Sequence, residues 1–335
     1  MATEILKKLA PEILSLIKSS HNILLHCHPS PDPDSVGSAL AMKLALESLG
    51  KKVTVIGGDS EVPQAFAHFP GFTSIEAKTF FEIDLAPIDL FIIQDAGSPE
   101  MVSRKAPLVF PPHLKTVVID HHMSNQKFAR DINLLDTTYP ATTLILFDLF
   151  KEWGIHLTPD IATNLFIGAY TDTGGFKFQS TTADTLAAAA ELARIAPDFH
   201  DAIFKMENSR EPDEIRYQGL AFSHIETFLD GHLAMSTITH DDFEKSGINI
   251  EDASAGYIAN QLKSVIGWDV AVCIIEMTPG HFKGSLRTRN SGKYDLSKIA
   301  VQLGGGGHKS AAGIHLEGEL AEVQQKIVDV VKAML

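Results

Sequence analysis

Short apolar segments that end in, or directly before, an aspartate or a histidine constrain this sequence more than any other feature. NILLHC (22–27), DLFIIQD (89–95) and TVVID (116–120) have the length of buried strands and are too short for typical helices. Helical patterns separate them, for example SVGSALAMKLALESLG (35–50). Near-continuous apolar strands separated by helices are typical of a parallel sheet covered on both faces. The sequence therefore predicts an α/β fold for the first half of the chain.

Four polar segments fall at the ends of these strands or in adjoining loops, where parallel sheets bind ligands. They are HPSPDPD (28–34), QDAGS (94–98), IDHHMSN (119–125) and YTDTGG (170–175). Carboxylate oxygens mixed with imidazole suit Mn²⁺, Mg²⁺ or similar cations. A single aspartate at a strand end is often a helix cap or a turn residue. Capping or turn formation does not easily explain four such segments at one sheet edge. Carboxylates that converge there would repel one another unless cations neutralised their charge.

The second half of the chain follows a different pattern and is expected to form a smaller α/β domain. Its predicted strands cover 232–238, 269–277 and 282–288, and its last helix covers 319–335. A mostly helical stretch joins the two patterns, so we predict two domains with an intervening cleft. The predicted limits are 1–185 for the parallel-sheet domain, 186–228 for a helical connector and 229–335 for the smaller domain.

The chain is acidic overall but contains one basic stretch. The formal net charge of −14 argues against a general nucleic-acid-binding surface, which is normally basic. Residues 283–309, however, contain six lysines or arginines and one aspartate. A local basic patch in an acidic protein suits a small anionic ligand better than a long duplex.

Cysteine content and apolar run length restrict the class of protein further. Cys27 and Cys273 are the only cysteines, so neither a disulfide framework nor a thiolate zinc site is expected. No apolar run approaches the roughly 20 residues that cross a bilayer. Residues 1–20 form an amphipathic helical pattern rather than a signal peptide. We therefore expect a cytoplasmic protein without a membrane partner.

Six motifs in order resemble the DHH phosphoesterase superfamily. Asp120-His121-His122 after the strand TVVI resembles the signature that gives the superfamily its name, and the other three polar segments resemble its remaining N-terminal motifs. GSLRT (284–288) and GGGGHKSAAG (304–313) resemble the DHHA1 domain that many members carry. The resemblance extends from about residue 20 to 318. Within the superfamily it is strongest to the small oligoribonuclease and pAp phosphatase group, where pAp is 3′-phosphoadenosine 5′-phosphate.

The resemblance implies a centre of two divalent cations, with Mn²⁺ expected first and Mg²⁺ or Co²⁺ as alternatives. In the related pattern H-x-x-P-D-x-D the ligand histidine precedes the first aspartate by four positions, which selects His28 over His26. We expect His26 to be packed or to lie behind the ligands. The implied assignments are His28 and Asp32 for one cation, Asp34, His121 and Asp172 for the other, Asp95 as the bridge, Asp120 as the residue that orients His121 or its neighbour, and His122 facing the substrate phosphate.

The second domain is implied to bind the substrate. Arginine can contact two phosphate oxygens at once, and a glycine run lets backbone N–H groups approach an anion. The candidates are Arg287, Gly305, Gly306, Gly307 and His308. The alternative is that the glycines form a flexible loop and that His308 is a surface histidine.

By resemblance the chain is an enzyme. The expected activity is hydrolysis of di- to pentanucleotide RNA to mononucleotides and removal of the 3′-phosphate of pAp, with water activated by the two cations. Short single-stranded RNA and nucleotides are the expected partners, and a homodimer is left open. Alternative functions are a linear dinucleotide (pApA-type) phosphodiesterase, a polyphosphatase or pyrophosphatase, and a nucleotide-binding regulator without activity.

Overall fold

A computed structural model describes residues 2–334, and the chain in it divides into two units between Ser209 and Arg210. Each unit is an α/β domain, as the sequence predicts: the first contains a parallel sheet and the second a mixed sheet. The division falls within residues 186–228. Leu192 before the division packs in the core of the first unit, and Tyr217 after it packs in the core of the second.

The first unit contains six strands and six α-helices among its described residues. In chain order they are α1 (Glu4–Ser19), β1 (Asn22–His26), α2 (Pro33–Ser48), β2 (Lys52–Ile56), β3 (Ile75–Glu76), β4 (Leu90–Gln94), β5 (Lys115–Asp120), β6 (Ile132–Leu135), α3 (Thr142–Glu152), α4 (Pro159–Asp172), α5 (Ala183–Ile195) and α6 (Phe199–Glu207). All strand pairs are parallel, in the order β3-β2-β1-β4-β5-β6.

This strand order places the end of β1 beside the end of β4. The chain proceeds outward from β1 to β3 and then returns to β4 on the other side of β1. Ligands of open parallel sheets bind at such a reversal, outside the carboxyl ends of the strands. His28 and Asp95, which follow β1 and β4, lie at that place.

The two faces of the parallel sheet are covered differently. All six α-helices contribute to the core on one face, together with Ile23 and Leu25 of β1. The opposite face, which carries Leu24, is covered by irregular segments that include Phe80 and Phe110. Crossover connections are right-handed, so the connections that follow the reversal pass over the second face. These connections, from β4 to β5 and from β5 to β6, contain no α-helix. The predicted covering of both faces is confirmed, although helices supply only one of the covers.

The second unit has a sheet with the strand order β11-β12-β10-β9-β8-β7. Its elements are α7 (Pro212–Ser223), β7 (Ile225–Phe228), β8 (Leu233–Ile238), α8 (His240–Ser246), α9 (Ala255–Leu262), β9 (Val270–Thr278), β10 (His281–Thr288), α10 (Leu296–Gln302), β11 (Gly306–Gly307), β12 (Ala311–Glu317) and α11 (Leu320–Lys332). Helices α10 and α11 pack on one face, and α7, α8 and α9 pack on the other. Among residues 2–334, no helix combines the length and the apolar character needed to span a lipid bilayer.

Candidate metal centre

Three groups of carboxylate and imidazole side chains lie close together in the described part of the first unit. They are His28, Asp32 and Asp95; Asp34, His121 and Asp172; and Asp95, His121 and His122. Within each group the ligand atoms lie within 4.8 Å of one another. The first two groups contain all six predicted metal ligands, and the third connects them. Binding of cations by these groups stays a prediction.

The four motifs reach this centre from different kinds of element. His28, Asp95 and His121 follow the parallel strands β1, β4 and β5, and Asp34 lies in the first turn of α2. Asp172 differs from the prediction, because it is the last residue of α4 and does not follow a strand. The helical pattern of α4 continues through Asp172, so a helix end takes the place of the expected loop.

Asp95 occupies the central position. Its Oδ2 lies 3.6 Å from Nε2 of His28, and its Oδ1 lies 3.6 Å from Nε2 of His121. The Thr142 hydroxyl donates a hydrogen bond of 3.0 Å to Oδ1. The backbone of Asp95 has a φ of 54°, a left-handed conformation that aspartate and asparagine tolerate better than most residues. The two carboxylate oxygens of Asp95 therefore face both ligand groups at once.

The distances between the candidate ligand atoms fit shared cations better than hydrogen bonds. Nε2 of His28 lies 3.5 Å from Asp32, and Nε2 of His121 lies 3.3 Å from Asp172. Two atoms that each lie about 2.1 Å from one ion are about 3.0–3.5 Å apart. Nε2 of His121 is also buried without a hydrogen-bond partner among the described residues. The donor set, carboxylates with imidazole, suits Mn²⁺ or Mg²⁺.

Burial and mutual repulsion make this centre unfavourable for carboxylates without a cation. Burial, with the charge of Asp32, raises the pKa of Asp95 to about 6. Burial and the charges of Asp95 and Asp172 raise the pKa of Asp34 well above its usual value. Burial lowers the pKa of His28, but the nearby carboxylates of Asp32 and Asp95 outweigh it and raise that pKa to about 9. Bound cations would take the place of these protons.

Asp34 is held by the start of α3. Its Oδ2 accepts from the N–H of Thr142 at 2.7 Å, and its Oδ1 accepts from the N–H and the hydroxyl of Thr143 at 3.0 and 2.6 Å. Ala141 at the N-cap position cannot supply a capping side chain, so the Asp34 carboxylate satisfies these amides. The helix N-terminus favours a negative charge there. Sequence reasoning missed both threonines, which are the first two residues of α3.

Asp32 combines the two roles that the sequence left open. As the N-cap of α2 it accepts a hydrogen bond of 2.9 Å from the N–H of Ser35 through Oδ1, while its Oδ2 faces His28. The hydroxyl of Ser35 in turn accepts from the N–H of His28 at 3.0 Å. Capping and ligand positioning are therefore compatible in one carboxylate.

A glycine that sequence reasoning missed lies directly behind this centre. A Cβ added to Gly168 of α4 would lie 2.8 Å from Oδ1 of Asp34 and 2.5 Å from Cγ2 of Thr143. Gly37 of α2 is equally confined, because its Cβ would lie 2.6 Å from the carbonyl oxygen of Asn164. The close packing of α2, α3 and α4 behind Asp34 therefore depends on both glycines.

Asp120 positions His122 rather than His121. Its Oδ1 accepts from Nδ1 of His122 at 2.7 Å, and its Oδ2 accepts from the Asn125 amide at 2.6 Å. The hydrogen bond to Asp120 raises the pKa of His122. The imidazole of His122 is 44% exposed, and its Nδ1 is occupied by Asp120. Nε2 is therefore the atom of His122 that is available to a substrate.

His26 is packed, as predicted. It is completely buried, its ring meets the edge of Phe91 at a centroid distance of 5.5 Å, and neither ring nitrogen has a hydrogen-bond partner among the described residues. Burial, with the charge of His28, lowers its pKa to about 3. His26 is therefore a neutral core residue beneath the centre.

In the second unit, Arg287 of β10 is half-buried, and its Nη1 donates to the Ser285 hydroxyl and to the Leu286 carbonyl.

The glycine run has a packing role that the sequence did not reveal. A Cβ at Gly305 would lie 2.0 Å from the carbonyl oxygen of Gly313, whereas Gly306 faces open space.

Two of the N–H groups expected to face an anion are occupied. The N–H of Gly305 donates to the carbonyl of Ala300, and that of His308 donates to the carbonyl of Ala311, both at 2.8 Å. Gly307 has a φ of 146° and lies against Ala312. Close packing on β12 thus accounts for the glycines at 305 and 307, and the exposed His308 side chain remains available.

Comparison with known proteins supports both the fold and the motif assignment. Residues 22–169 match the DHH family N-terminal domain, and residues 231–335 match the DHHA1 domain. The bifunctional oligoribonuclease and PAP phosphatase NrnA of Thermus thermophilus is 28% identical over 329 residues, which cover 98% of this chain and 94% of that protein.

Two solved structures share the fold. The crystal structure of an exopolyphosphatase-related protein from Bacteroides fragilis has a TM-score of 0.86 at 23% identity and covers 98% of this chain and 96% of its own. RecJ from Thermus thermophilus, solved in complex with Mn²⁺, has a TM-score of 0.51 at 14% identity and covers 99% of this chain and 55% of its own. Both likenesses concern the fold alone.

Proposed function

Because the chain carries a DHH family N-terminal domain and a DHHA1 domain, we propose that it is a metal-dependent phosphoesterase for short nucleotides. It hydrolyses di- to pentanucleotide RNA to mononucleotides and removes the 3′-phosphate of pAp. The observation that carries this proposal is the pair of ligand groups joined through Asp95. The NrnA relative, named for both activities, supports the substrate range.

Each residue of the centre has a defined task in this reaction. Two divalent cations, with Mn²⁺ as the first candidate, would supply positive charge at the phosphate and lower the pKa of the attacking water. His28 and Asp32 would hold one cation, Asp34, His121 and Asp172 would hold the other, and Asp95 would contribute to both. The hydrogen bonds from α3 fix the Asp34 carboxylate, so its position does not depend on the bound substrate.

His122 holds a proton where the phosphate would bind. The hydrogen bond from Nδ1 to Asp120 fixes the ring orientation and favours the imidazolium form. Nε2–H can then donate to a phosphate oxygen and stabilise the negative charge that grows in the transition state. Arg287 of the second unit would bind phosphate through its guanidinium, because arginine contacts two phosphate oxygens at once.

The proposal predicts a specific substrate profile in the presence of Mn²⁺. We expect turnover of dinucleotide to pentanucleotide RNA and of pAp, slower turnover of heptanucleotides, and none of pyrophosphate or cyclic dinucleotides. Release of mononucleotides and of inorganic phosphate measures the two activities. The variants Asp120→Ala and His121→Ala serve as inactive controls. Turnover of pApA alone, or of pyrophosphate, would contradict the proposal and favour one of the alternative enzymes.

A further inference from the structure

Two half-buried cations of the second unit, Lys263 at the end of α9 and Arg287 of β10, have no counterion among the described residues. Among the described residues, no carboxylate acts on Lys263 or Arg287 to stabilise its charge. Burial and the positive charge of Arg287 lower the pKa of Lys263, and burial lowers the pKa of Arg287. Like charges that are partly removed from water repel each other strongly. A folded protein that keeps such a pair is suited to bind an anion between them.

The packing of α9 on β10 turns the side of the helix that carries Lys263 towards Arg287. Gly256 and Lys263 are seven residues apart, which places them on one side of α9 as the helix ends. A Cβ at Gly256 would lie 3.2 Å from Nη2 of Arg287, so this side of the helix faces the guanidinium. On the strands next to Arg287, the residues in register are Ala271 and Ala311. These small residues leave space around the two cations.

Helix capping alone does not account for Lys263. It is the C-cap residue of α9, where a positive charge is favourable. Arg289, and not Lys263, donates the hydrogen bond to the carbonyl of Val265 just beyond the helix end. The ammonium group of Lys263 has no hydrogen-bond or ion-pair partner among the described residues, and the Lys263 side chain is partly buried.

We propose that Lys263 and Arg287 together bind the terminal phosphomonoester of a nucleotide substrate. The inference rests on the proposed function and adds to it a preference for nucleotides that end in a phosphate. A phosphomonoester carries about −1.5 to −2 charges at neutral pH, whereas an internal phosphodiester carries one. The two positive charges of Lys263 and Arg287 match the two negative charges of the phosphomonoester. An internal phosphodiester, with its single charge, would need only Arg287.

Equilibrium binding of AMP tests this site without turnover of the ligand. We expect the full-length protein in Mn²⁺ to bind AMP more tightly than adenosine in titration calorimetry. Lys263→Gln should weaken AMP binding by about tenfold or more, the cost of losing one charged hydrogen-bond partner, and should leave adenosine binding unchanged. Lys283→Gln removes an equal charge from an exposed lysine on the same strand as Arg287 and should retain AMP binding. Lys263→Arg should restore it.

Hydrolysis of paired substrates separates this inference from the proposed function. Lys263→Gln should raise the KM for pApA by about tenfold, with little change in kcat, and should leave the KM for ApA unchanged. Equal loss of AMP binding in Lys263→Gln and Lys283→Gln, or an unchanged KM for pApA, would overturn the inference while leaving the phosphoesterase intact. Conversely, selective loss of AMP binding in Lys263→Gln would support the site even if no oligonucleotide were hydrolysed.

Discussion

Asp95→Asn is expected to lower kcat/KM for pApA by at least about 10³-fold, the scale of losing a principal electrostatic group, and to reduce the bound Mn²⁺ per chain. Asparagine keeps the shape of the side chain and tolerates the left-handed backbone at this position, so the variant tests the charge. Metal content after gel filtration and steady-state kinetics measure the two effects.

Folding of this variant can be checked independently. Burial raises the pKa of Asp95 to about 6, so the ionised carboxylate destabilises the metal-free fold above that pH. Asp95→Asn should therefore melt no earlier than the unchanged protein in EDTA.

A matched control is available at the opposite end of the same strand. Asp89 precedes β4 and accepts hydrogen bonds from the N–H groups of His21 and Asn22, far along the strand from the centre. Asp89→Asn should keep the full metal content and kcat. Unchanged turnover and metal content in Asp95→Asn would refute the role of Asp95 as a bridge.

Gly168→Ala is expected to weaken Mn²⁺ binding by about 10–100-fold, as changes to groups behind metal ligands do. The new methyl group would meet Oδ1 of Asp34 at 2.8 Å and Cγ2 of Thr143 at 2.5 Å. The Asp34 carboxylate is fixed by three hydrogen bonds, so it cannot move without losing them. Overpacking of this kind costs ~1–3 kcal/mol of unfolding free energy. Calorimetric Mn²⁺ titration and thermal melts measure these effects.

The control for this variant is a glycine in an open part of another helix. Gly219 lies in α7, and a Cβ there would meet nothing within 4 Å. Gly219→Ala should stabilise the protein by up to ~1 kcal/mol, because alanine has the higher helix propensity, with no effect on Mn²⁺ binding. If Gly168→Ala behaved like Gly219→Ala, the close packing behind Asp34 would not support the metal centre.

Local features of the sequence were sufficient to predict the elements around the centre. The strands β1, β4 and β5 are short apolar runs that end at polar residues, and α2 begins close to the predicted residue 35. The motifs are also local, since His28, Asp32 and Asp34 lie within seven positions. The sequence did not predict β6, because its four residues are near the lower limit of strand length.

The contacts that hold the candidate ligands depend on tertiary packing and were not predicted. Thr143 lies 109 residues after Asp34, yet it donates to Asp34 twice. The need for glycine at 168 arises only when α4 crosses the start of α3. Lys263 had no motif around it, and its relation to Arg287 became visible only through the packing of α9 on β10. Such contacts leave no periodic or spacing signal in a single sequence.

Anomalous diffraction from crystals soaked in Mn²⁺ tests the central claim most directly. The account predicts two peaks, one within about 2.0–2.3 Å of His28 and Asp32 and the other within that distance of Asp34, His121 and Asp172, with Asp95 in contact with both. A single peak, or two peaks that do not share Asp95, would contradict the proposed centre.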